Sequence, residues 1–527
     1  MIPFAIALLG FTFLVWYVVE SLYIDPKSKI PGPKSYALTG WRLAYDDWQA
    51  TRTRTIHRLH QQYGPVVRIG PNEVHFNSLA ALRKIYGAGS GFERTSFYRM
   101  FEVYGRQNLF TFYTTAQHGE RKKLLANAYS KSAVLHGAAA QDLAEDVHHY
   151  MELLSKLGGE ENDVFKTLHY FSLDGITNFL YGPQLGGTSA TSGDTAHRAL
   201  LDDVFASSRR KLTWFAVHLP KLTKWLYTRS GLLEALVQPL LPMQKPSTYT
   251  AVRAHALQAM KNTRSALDSG RLHTEELSGT IIGKLFTHQT AAVKSGPRAG
   301  LDDLDIASEC ADHLLAGIDT TADTLMFLFW AISLPENKHI QEKLAVEVQK
   351  ANGDLDKHEN LTPAATGKLP YLDAVIKETL RLYAPLPASE PRCFPYGETV
   401  IDGYTIPAGT IVSMSPYSLH RNEDAFPDPL KFDPERWTGV RDDTAAKWFW
   451  AFSSGGRMCI GLHLAMAKMT TLVSAVYRQY STTIAPGFEN TSPAVTSRFE
   501  LFIDETQPQI AQHKCMLKFE RNNIIDD

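Results

Sequence analysis

The stretch Phe452-Ser453-Ser454-Gly455-Gly456-Arg457-Met458-Cys459-Ile460-Gly461 places a cysteine in a glycine-rich loop, directly before a helical segment at 462–480. Glycine lets a backbone approach a flat, bulky partner closely. The N-terminus of a helix and the neighbouring Arg457 both favour the thiolate form of Cys459 over the thiol. Amides of the loop could point at the sulfur and tune it. The sequence therefore predicts a cysteine that has chemistry of its own.

A cysteine thiolate is a known axial ligand of haem iron, and it favours cleavage of the O–O bond. The alternative is an inert free cysteine in a turn. Local physical chemistry leaves both interpretations open. The other cysteines, Cys310, Cys393 and Cys515, stand far from Cys459 and from one another. This spacing excludes a zinc site built on CxxC pairs, and four cysteines in 527 residues are too few for a disulfide framework.

The overall composition is that of an ordinary globular protein. Of the 527 residues, 44% are hydrophobic and 21% are charged, which excludes a wholly disordered or collagen-like chain. The 54 basic and 55 acidic side chains give a net charge of −1. General nucleic-acid binding needs a basic surface, so we expect no nucleic-acid partner.

The N-terminus has the features of a membrane anchor. Residues 2–19 carry no charge, and apolar side chains continue to Ile24, so the stretch is long enough to span a bilayer. The alternatives are a cleaved signal peptide and a buried helix, but the start lacks a basic side chain and bulky aromatic residues occupy the expected cleavage region. Lysines follow the span, and the positive-inside rule then predicts that the bulk of the chain lies in the cytoplasm. We expect an anchor at 1–24 and a proline-rich hinge at 25–34.

The remainder, residues 35–527, is predicted to form one large, mainly α domain with small β-sheets. Residues 66–76 are typical of a hairpin around Gly70-Pro71-Asn72, and residues 399–415 of a second hairpin region. Residues 301–334 form a long helical stretch that ends at a proline.

The loop around Cys459 matches the haem-binding signature of the cytochrome P450 family, Phe-x-x-Gly-x-Arg-x-Cys-x-Gly. All five specified positions agree: Phe452, Gly455, Arg457, Cys459 and Gly461. Three more segments resemble motifs of that family and occur in its order, at 316–321, 378–381 and 432–437. With the anchor and hinge, the resemblance covers essentially the whole chain. It implies the cytochrome P450 fold and a haem cofactor, iron protoporphyrin with Cys459 as the axial metal ligand.

Asp319 and Thr320 lie in an otherwise apolar helical segment. Gly317 weakens a helix interior, and threonine hydroxyls can bond back to carbonyls, so a local bend is expected there. On the residues alone, two solvated polar groups at a bend are the simpler interpretation. The resemblance implies a catalytic role, in which Thr320 donates to bound oxygen and Asp319 relays protons.

Glu378 and Arg381 stand three residues apart and so share one face of a helix. A surface ion pair of little energetic value is the alternative interpretation. The resemblance implies a buried pair, joined by Arg436, that braces the loop near Cys459. Its role would be structural support rather than catalysis.

Haem carries two propionates, for which arginine forks are suitable partners. The resemblance offers Arg457, Arg392 and Arg121 as cofactor-binding residues. The family often has tryptophan where this chain has Gln117. This departure leaves one propionate contact open, and it also leaves open whether His118 replaces it.

The substrate pocket of such an enzyme should be concave and mostly apolar. Candidate lining residues are Phe110, Phe112, Leu315, Ala316 and residues 386–388. Each of them is explained at least as well as part of the core.

Together, these features imply a membrane-bound monooxygenase that inserts one oxygen atom from O2 into an apolar organic substrate. The sequence carries no flavin or nicotinamide motif, so we expect electrons from a partner, an NADPH-dependent diflavin reductase. Lys122 and Lys123 could face such an acidic donor. The motifs are similar to those of filamentous-fungal members, which suggests secondary-metabolite biosynthesis.

Two alternative functions stay open. One is an isomerase or dehydratase of the same fold that needs no reductase, although the pair Asp319-Thr320 argues against it. The other is a non-catalytic, membrane-tethered haem carrier or sensor.

Overall fold

The computed structural model describes residues 2–205, 213–228, 232–237, 250–273, 277–295, 300–438, 444–493 and 514–522. The first element, helix α1 (Ile2–Val19), continues into a π-helical turn at Glu20–Ile24. The stretch Pro3–Ile24 has a mean hydropathy of 1.9, and almost none of it is buried. This helix could therefore act as a membrane anchor.

Arg68 fixes the junction between this helix and the globular part. It belongs to strand β1 (Val66–Gly70), and its Nη1 donates to the carbonyl oxygen of Ser21 at 2.9 Å. Its Nη2 lies 3.3 Å from Asp25 Oδ2. The backbone N–H of Arg68 donates to the carbonyl oxygen of Pro31 at 2.7 Å. The proline-rich segment therefore lies against the edge of the sheet.

Most of the described chain is helical, as the sequence predicted. The further helices are α2 (Lys34–Leu38), α3 (Trp41–Trp48), α4 (Arg52–Tyr63), α5 (Leu79–Tyr86), α6 (Thr115–Leu125), α7 (Lys131–Leu135), α8 (Ala138–Leu157), α9 (Val164–Tyr181), α10 (Thr195–Ala199), α11 (Asp202–Phe205), α12 (Thr213–His218), α13 (Pro220–Thr228), α14 (Leu232–Val237), α15 (Thr250–Asp268), α16 (Ile281–Ser295), α17 (Asp303–Ser333), α18 (Lys338–Lys350), α19 (Pro363–Thr366), α20 (Pro370–Leu382), α21 (Pro416–Leu419), α22 (Thr444–Trp448) and α23 (Leu462–Gln479). Single 3-10 turns occupy Pro26–Lys29, Ser96–Phe101, Pro335–Asn337, Pro434–Trp437 and Gly455–Arg457.

The strands form three small sheets. They are β1, β2 (Glu73–Phe76), β3 (Glu93–Arg94), β4 (Glu161–Asp163), β5 (Arg392–Cys393), β6 (Thr399–Ile401), β7 (Tyr404–Ile406), β8 (Ile411–Ser413), β9 (Tyr480–Ile484) and β10 (Met516–Arg521). The largest sheet has the order β1-β2-β8-β5-β3, the second β4-β10-β9, and the third is the pair β6-β7. Both predicted hairpins are confirmed, since β1 pairs antiparallel with β2 and β6 with β7.

Helix α17 is the central element of the core. Asp302 and Asp305 form a capping box at its start, where each side chain accepts from the other's backbone N–H. The helix ends just before Pro335, which cannot continue it. It is apolar and long enough to cross a membrane, but 72% of its most apolar stretch is buried, chiefly against α9 and α15. Helix α17 is therefore a core helix that the globular fold covers.

Candidate active site

An internal cavity of about 230 Å³ separates helix α17 from the cysteine-containing loop. Its lining is mostly apolar, as expected for an organic ligand. Of the proposed pocket residues, Phe110, Ala316 and Leu386 belong to the lining. Helix α17 contributes Asp312, His313, Ala316, Gly317, Thr320, Thr321 and Thr324, and the loop contributes Phe452, Ser453, Arg457, Met458, Cys459, Ile460 and Gly461.

The path of the loop depends on its glycines and on one internal hydrogen bond. Gly455 has a φ of +62°, and a Cβ at this position would lie 2.3 Å from the carbonyl oxygen of Tyr86. Only glycine fits there. The backbone N–H of Cys459 donates to the carbonyl oxygen of Phe452 at 2.9 Å, which closes the loop before helix α23 begins.

Cys459 is accessible, and the space that its side chain faces is the cavity. Burial inside the protein raises the pKa of its thiol. The backbone N–H groups of Gly461 and Leu462 and the ammonium group of Lys122 act in the opposite direction, because they stabilise negative charge on the sulfur. The sequence placed this residue correctly at the start of a helix, but burial outweighs the groups that favour its thiolate.

Two cations hold the loop in place. Lys122 Nζ donates to the carbonyl oxygens of Gly456 and Met458, at 3.0 Å each. Arg457 donates to the two backbone carbonyls of residues 112–113, at 2.9 Å each. The guanidinium of Arg457 is directed to those carbonyls, and the cation that stabilises negative charge on the sulfur is Lys122.

The opposite wall is one face of helix α17, where Ala316, Thr320 and Thr324 follow at four-residue spacing. Thr320 Oγ1 donates to the carbonyl oxygen of Ala316 at 2.7 Å, and Thr324 Oγ1 donates to that of Thr320 at 2.7 Å. A Cβ on Gly317 would lie 2.6 Å from Ile176 Cγ1 on α9. Gly317 therefore lets the two helices pack closely, a role that the sequence did not reveal.

Asp319 lies on another face of the helix from Thr320. It is buried, and it is not among the described residues that line the cavity. Its Oδ1 lies 3.6 Å from His169 Nε2, and Asp323 Oδ1 lies 4.0 Å from the same nitrogen. Burial would lower the pKa of His169, but the two carboxylates outweigh burial and raise it. Sequence analysis missed His169, which lies 150 positions away in the chain and carries no motif.

Of the basic side chains that line the cavity, four lie near one another: Arg94, His118, Lys122 and Arg457. His118 and Lys122 stand four residues apart and share one face of helix α6. Burial and the charges of Arg457 and Arg94 lower the pKa of His118 to about 3, so this imidazole is neutral. Sequence analysis missed Arg94, which lies in a two-residue strand without a recognisable motif.

The structure places the other two expected propionate partners behind the wall of the cavity. Arg121 is buried and forms an ion pair with Glu309 of helix α17. It directly precedes Lys122 in helix α6, so its side chain leaves the helix about 100° away from that of Lys122. Arg392 donates to Glu390 Oε2 at 3.1 Å and is buried as well. Neither arginine belongs to the described lining.

Comparison with known proteins identifies the family. The family model for Cytochrome P450 matches residues 30–506 of the chain. The chain belongs to the cytochrome P450 family. This membership confirms the expected fold, mainly α with small sheets, and the expected class of enzyme, an oxidoreductase.

Curated relatives of this P450 come from filamentous fungi. Cytochrome P450 monooxygenase orf2 of Aspergillus niger is 28% identical over 473 residues, which cover 88% of each chain. Cytochrome P450 monooxygenase stcB of Emericella nidulans is 29% identical over 480 residues, covering 88% of this chain and 83% of the relative. Cytochrome P450 monooxygenase aflV of Aspergillus parasiticus is 27% identical over 493 residues, covering 92% and 90%.

In this P450, Glu378 of helix α20 and Arg381 are fully buried. Arg381 Nε and Nη2 each donate to the Glu378 carboxylate at 2.8 Å. Arg436 Nε donates to Glu378 Oε1 at 3.0 Å, and Trp437 Nε1 donates to Oε2 at 2.9 Å. Because both side chains are buried, the alternative interpretation, a surface ion pair, is excluded.

This network reaches the cysteine loop through His420. The carbonyl oxygen of Arg381 lies 3.0 Å from His420 Nδ1. The backbone N–H of Trp450 donates to His420 Nε2 at 2.8 Å. Both bonds form only on a neutral imidazole that carries its proton on Nδ1. Trp450 also donates from its ring to Ser454 of the loop, at 3.1 Å.

The residues present fit a haem group. One sulfur faces the cavity, apolar side chains and a glycine-containing helix face form the opposite wall, and several basic groups gather where acidic substituents would lie. Family membership implies haem-thiolate chemistry, and the donor set agrees with it.

Proposed function

We propose that this P450 is a membrane-anchored haem-thiolate monooxygenase that inserts one oxygen atom from O2 into an apolar organic substrate. The supporting observation is that Cys459 Sγ faces an internal, mostly apolar cavity whose opposite wall is the Ala316–Thr320 face of helix α17. Haem ligated by Cys459 would supply reductive activation of dioxygen.

The propionates would bind to the basic groups that line the cavity, Arg94, His118, Lys122 and Arg457. Arg392 now donates to the carboxylate of Glu390. It would join these basic groups if a propionate replaced Glu390 as its acceptor. Arg121 supports helix α17 through Glu309. Phe452, Gly455 and Gly461 would shape the loop so that the sulfur reaches the cofactor.

Two polar groups of helix α17 would transfer protons to the reacting oxygen. Thr320 lies at the cavity wall and donates its single hydroxyl proton to the carbonyl oxygen of Ala316; the hydroxyl would rotate to donate this proton toward the reacting oxygen. Asp319 would pass protons to this site from the buried side of the helix, where His169 lies 3.6 Å from its Oδ1. The raised pKa of His169 favours the protonated imidazole, which would supply this proton.

The chain would be organised as an anchor at 1–24, a hinge at 25–34 and one haem domain at 35–527. The domain would face the cytoplasm from the endoplasmic reticulum membrane, and an NADPH-dependent diflavin reductase would supply the electrons. Lys123 is exposed next to the loop-holding Lys122 and could contact the acidic surface of that donor. The fungal relatives support a role in secondary-metabolite biosynthesis.

The decisive measurement is the carbon monoxide difference spectrum of the reduced protein. Thiolate ligation predicts a red-shifted Soret band, and Cys459→Ala should abolish this band, whereas Cys393→Ala should retain it. An unchanged spectrum in Cys459→Ala would refute the assignment. Reductase-dependent consumption of NADPH with formation of product would then exclude both the reductase-independent isomerase and the haem carrier.

A further inference from the structure

One carboxyl group in the cavity takes no part in the proposed oxygen chemistry. Asp312 lies one helical turn before Ala316 and two turns before Thr320, so it lines the same wall. Leu109 and Phe110 line the cavity beside it. An acidic side chain in a mostly apolar cavity costs free energy unless a partner compensates its charge.

The neighbouring Glu309 is already satisfied. It forms an ion pair with Arg121, lies 3.2 Å from His313 Nε2, and accepts from the backbone N–H of Leu109 at 3.2 Å. His313 in turn bonds to the hydroxyl of Tyr129 at 2.6 Å. Arg121 and His313, the basic groups that contact Glu309, are therefore committed to this carboxylate.

Asp312 has a poorer set of partners. Among the described residues it accepts one hydrogen bond, from the backbone N–H of Phe110 at 3.3 Å, and no basic side chain lies within ion-pair distance. The nearby Arg94 donates instead to the carbonyl oxygen of Phe110 and lies over the ring of Tyr98. The charges of His313 and Arg94 reach Asp312, but no ion pair among the described residues neutralises this carboxyl group, which lines the space where a substrate would bind.

The electrostatics of Asp312 are consistent with this position. Burial raises the pKa of the carboxyl to about 7, and the charge of Glu309 adds to the rise against the opposing effect of His313. A cationic ligand would bring the carboxylate into its charged form and form an ion pair in a low-dielectric setting.

A metal ion is the less suitable occupant. Ligand atoms of Glu309, Asp312 and His313 lie within 4.8 Å of one another. However, Glu309 and His313 already bond to each other, and Arg121 places a positive charge beside them. A metal would have to displace these contacts, whereas an organic cation at Asp312 leaves them intact.

We propose that the cavity selects substrates that carry a protonated amine, which binds to the Asp312 carboxylate while the apolar body of the substrate lies toward Ala316 and Thr320. This inference rests on the proposed monooxygenase function and specifies its substrate class.

The test uses three probes that differ in one group: naphthylmethylamine, its methyl isostere ethylnaphthalene, and naphthylmethanol. Binding is measured by equilibrium dialysis on the purified, full-length protein at about pH 8, where the amine stays protonated. We expect Asp312→Asn, which is isosteric and can still accept from Phe110 N–H, to weaken amine binding by about tenfold or more. Binding of the other two probes should change by less than about twofold.

Two further variants make the result specific. Asp312→Glu keeps the charge and should retain the preference for the amine, and Asp303→Asn, on the same helix outside the cavity, should change none of the three affinities. Amine binding that is unaltered in Asp312→Asn, or that falls together with the other probes, would overturn the proposal. Dialysis needs no turnover, so selective amine binding by a protein without the thiolate spectrum would refute the proposed function alone.

Discussion

Lys122 Nζ lies 3.0 Å from the carbonyl oxygen of Met458, the residue immediately before the cavity-facing Cys459. The same ammonium group binds the carbonyl oxygen of Gly456. Helix α6 is thereby tied to the loop that would hold the haem iron.

Replacing this lysine should loosen the cofactor. Lys122→Met removes two charge-assisted hydrogen bonds from a half-exposed group, worth about 1 kcal/mol together. We expect haem to leave about fivefold faster, as measured by transfer to apomyoglobin. Lys123→Met, at the exposed neighbouring position, is the matched control. Equal release rates in the two variants would show that the contact does not hold the loop.

The Glu378 network should dominate the stability of the domain. Arg381→Met leaves a fully buried carboxylate without its main partner, which costs about 3–5 kcal/mol in the free energy of unfolding. Denaturant titration of the haem-loaded protein measures this loss. Lys377→Met breaks an exposed ion pair with Asp373 on the same helix and should cost less than about 1 kcal/mol. A similar loss in both variants would contradict the prediction.

His420 should make the protein sensitive to acid. Burial, followed by the charge of Arg381, lowers the pKa of its imidazole to about 3 in the folded protein, against an ordinary value near 6.5. Because the unfolded chain takes up this proton first, stability falls as the pH drops below about 6.5 and continues to fall to about 3.

This effect should amount to roughly 2 kcal/mol between about pH 7 and about pH 5. Unfolding titrations at several pH values would measure it, and the slope should become shallower in His420→Gln. A slope identical to that of the wild-type protein would rule out His420 as the titrating group.

Gly317 should be intolerant of a methyl group. In Gly317→Ala the new Cβ would lie 2.6 Å from Ile176, so helices α17 and α9 must separate at a cost of about 1–3 kcal/mol. The additional change Ile176→Ala should recover part of this loss in a double-mutant cycle. Gly119→Ala, in helix α6, meets nothing within 4 Å and should be neutral or slightly stabilising. Thermal unfolding measures the stability of Gly317→Ala, Ile176→Ala, the double variant and Gly119→Ala. An equal stability of Gly317→Ala and Gly119→Ala would contradict the prediction.

The parts of the site that the sequence predicted are those with fixed local spacing. The loop from Phe452 to Gly461 and the pair Glu378–Arg381 are separated by few residues, so chain geometry alone brings their members together. The residues that contact them from distant parts of the chain could be identified only from the folded structure. Trp437 and His420 complete the same network from distant loops that carry no periodic signal.

The propionate residues show what a local sequence pattern leaves open. Along helix α6 one residue corresponds to about 100° of rotation, so the choice between Arg121 and Lys122 decides which side chain faces the cavity. The resemblance offered Arg121, and in the structure this arginine pairs with Glu309 of helix α17, nearly 190 positions further on. No local pattern records such a partner.

The contacts of Arg68 have a consequence for how the enzyme would sit in a cell. Its guanidinium contacts Ser21 and Asp25, and its backbone N–H donates to Pro31. These contacts hold the C-terminal end of the apolar helix against the edge of the five-stranded sheet. A helix held in this way would keep one orientation to the sheet, and the proline-rich hinge would act as a fixed bend between them. The bilayer would then set the tilt of the whole domain. Apolar molecules dissolved in the bilayer would approach the surface of the domain in one fixed orientation.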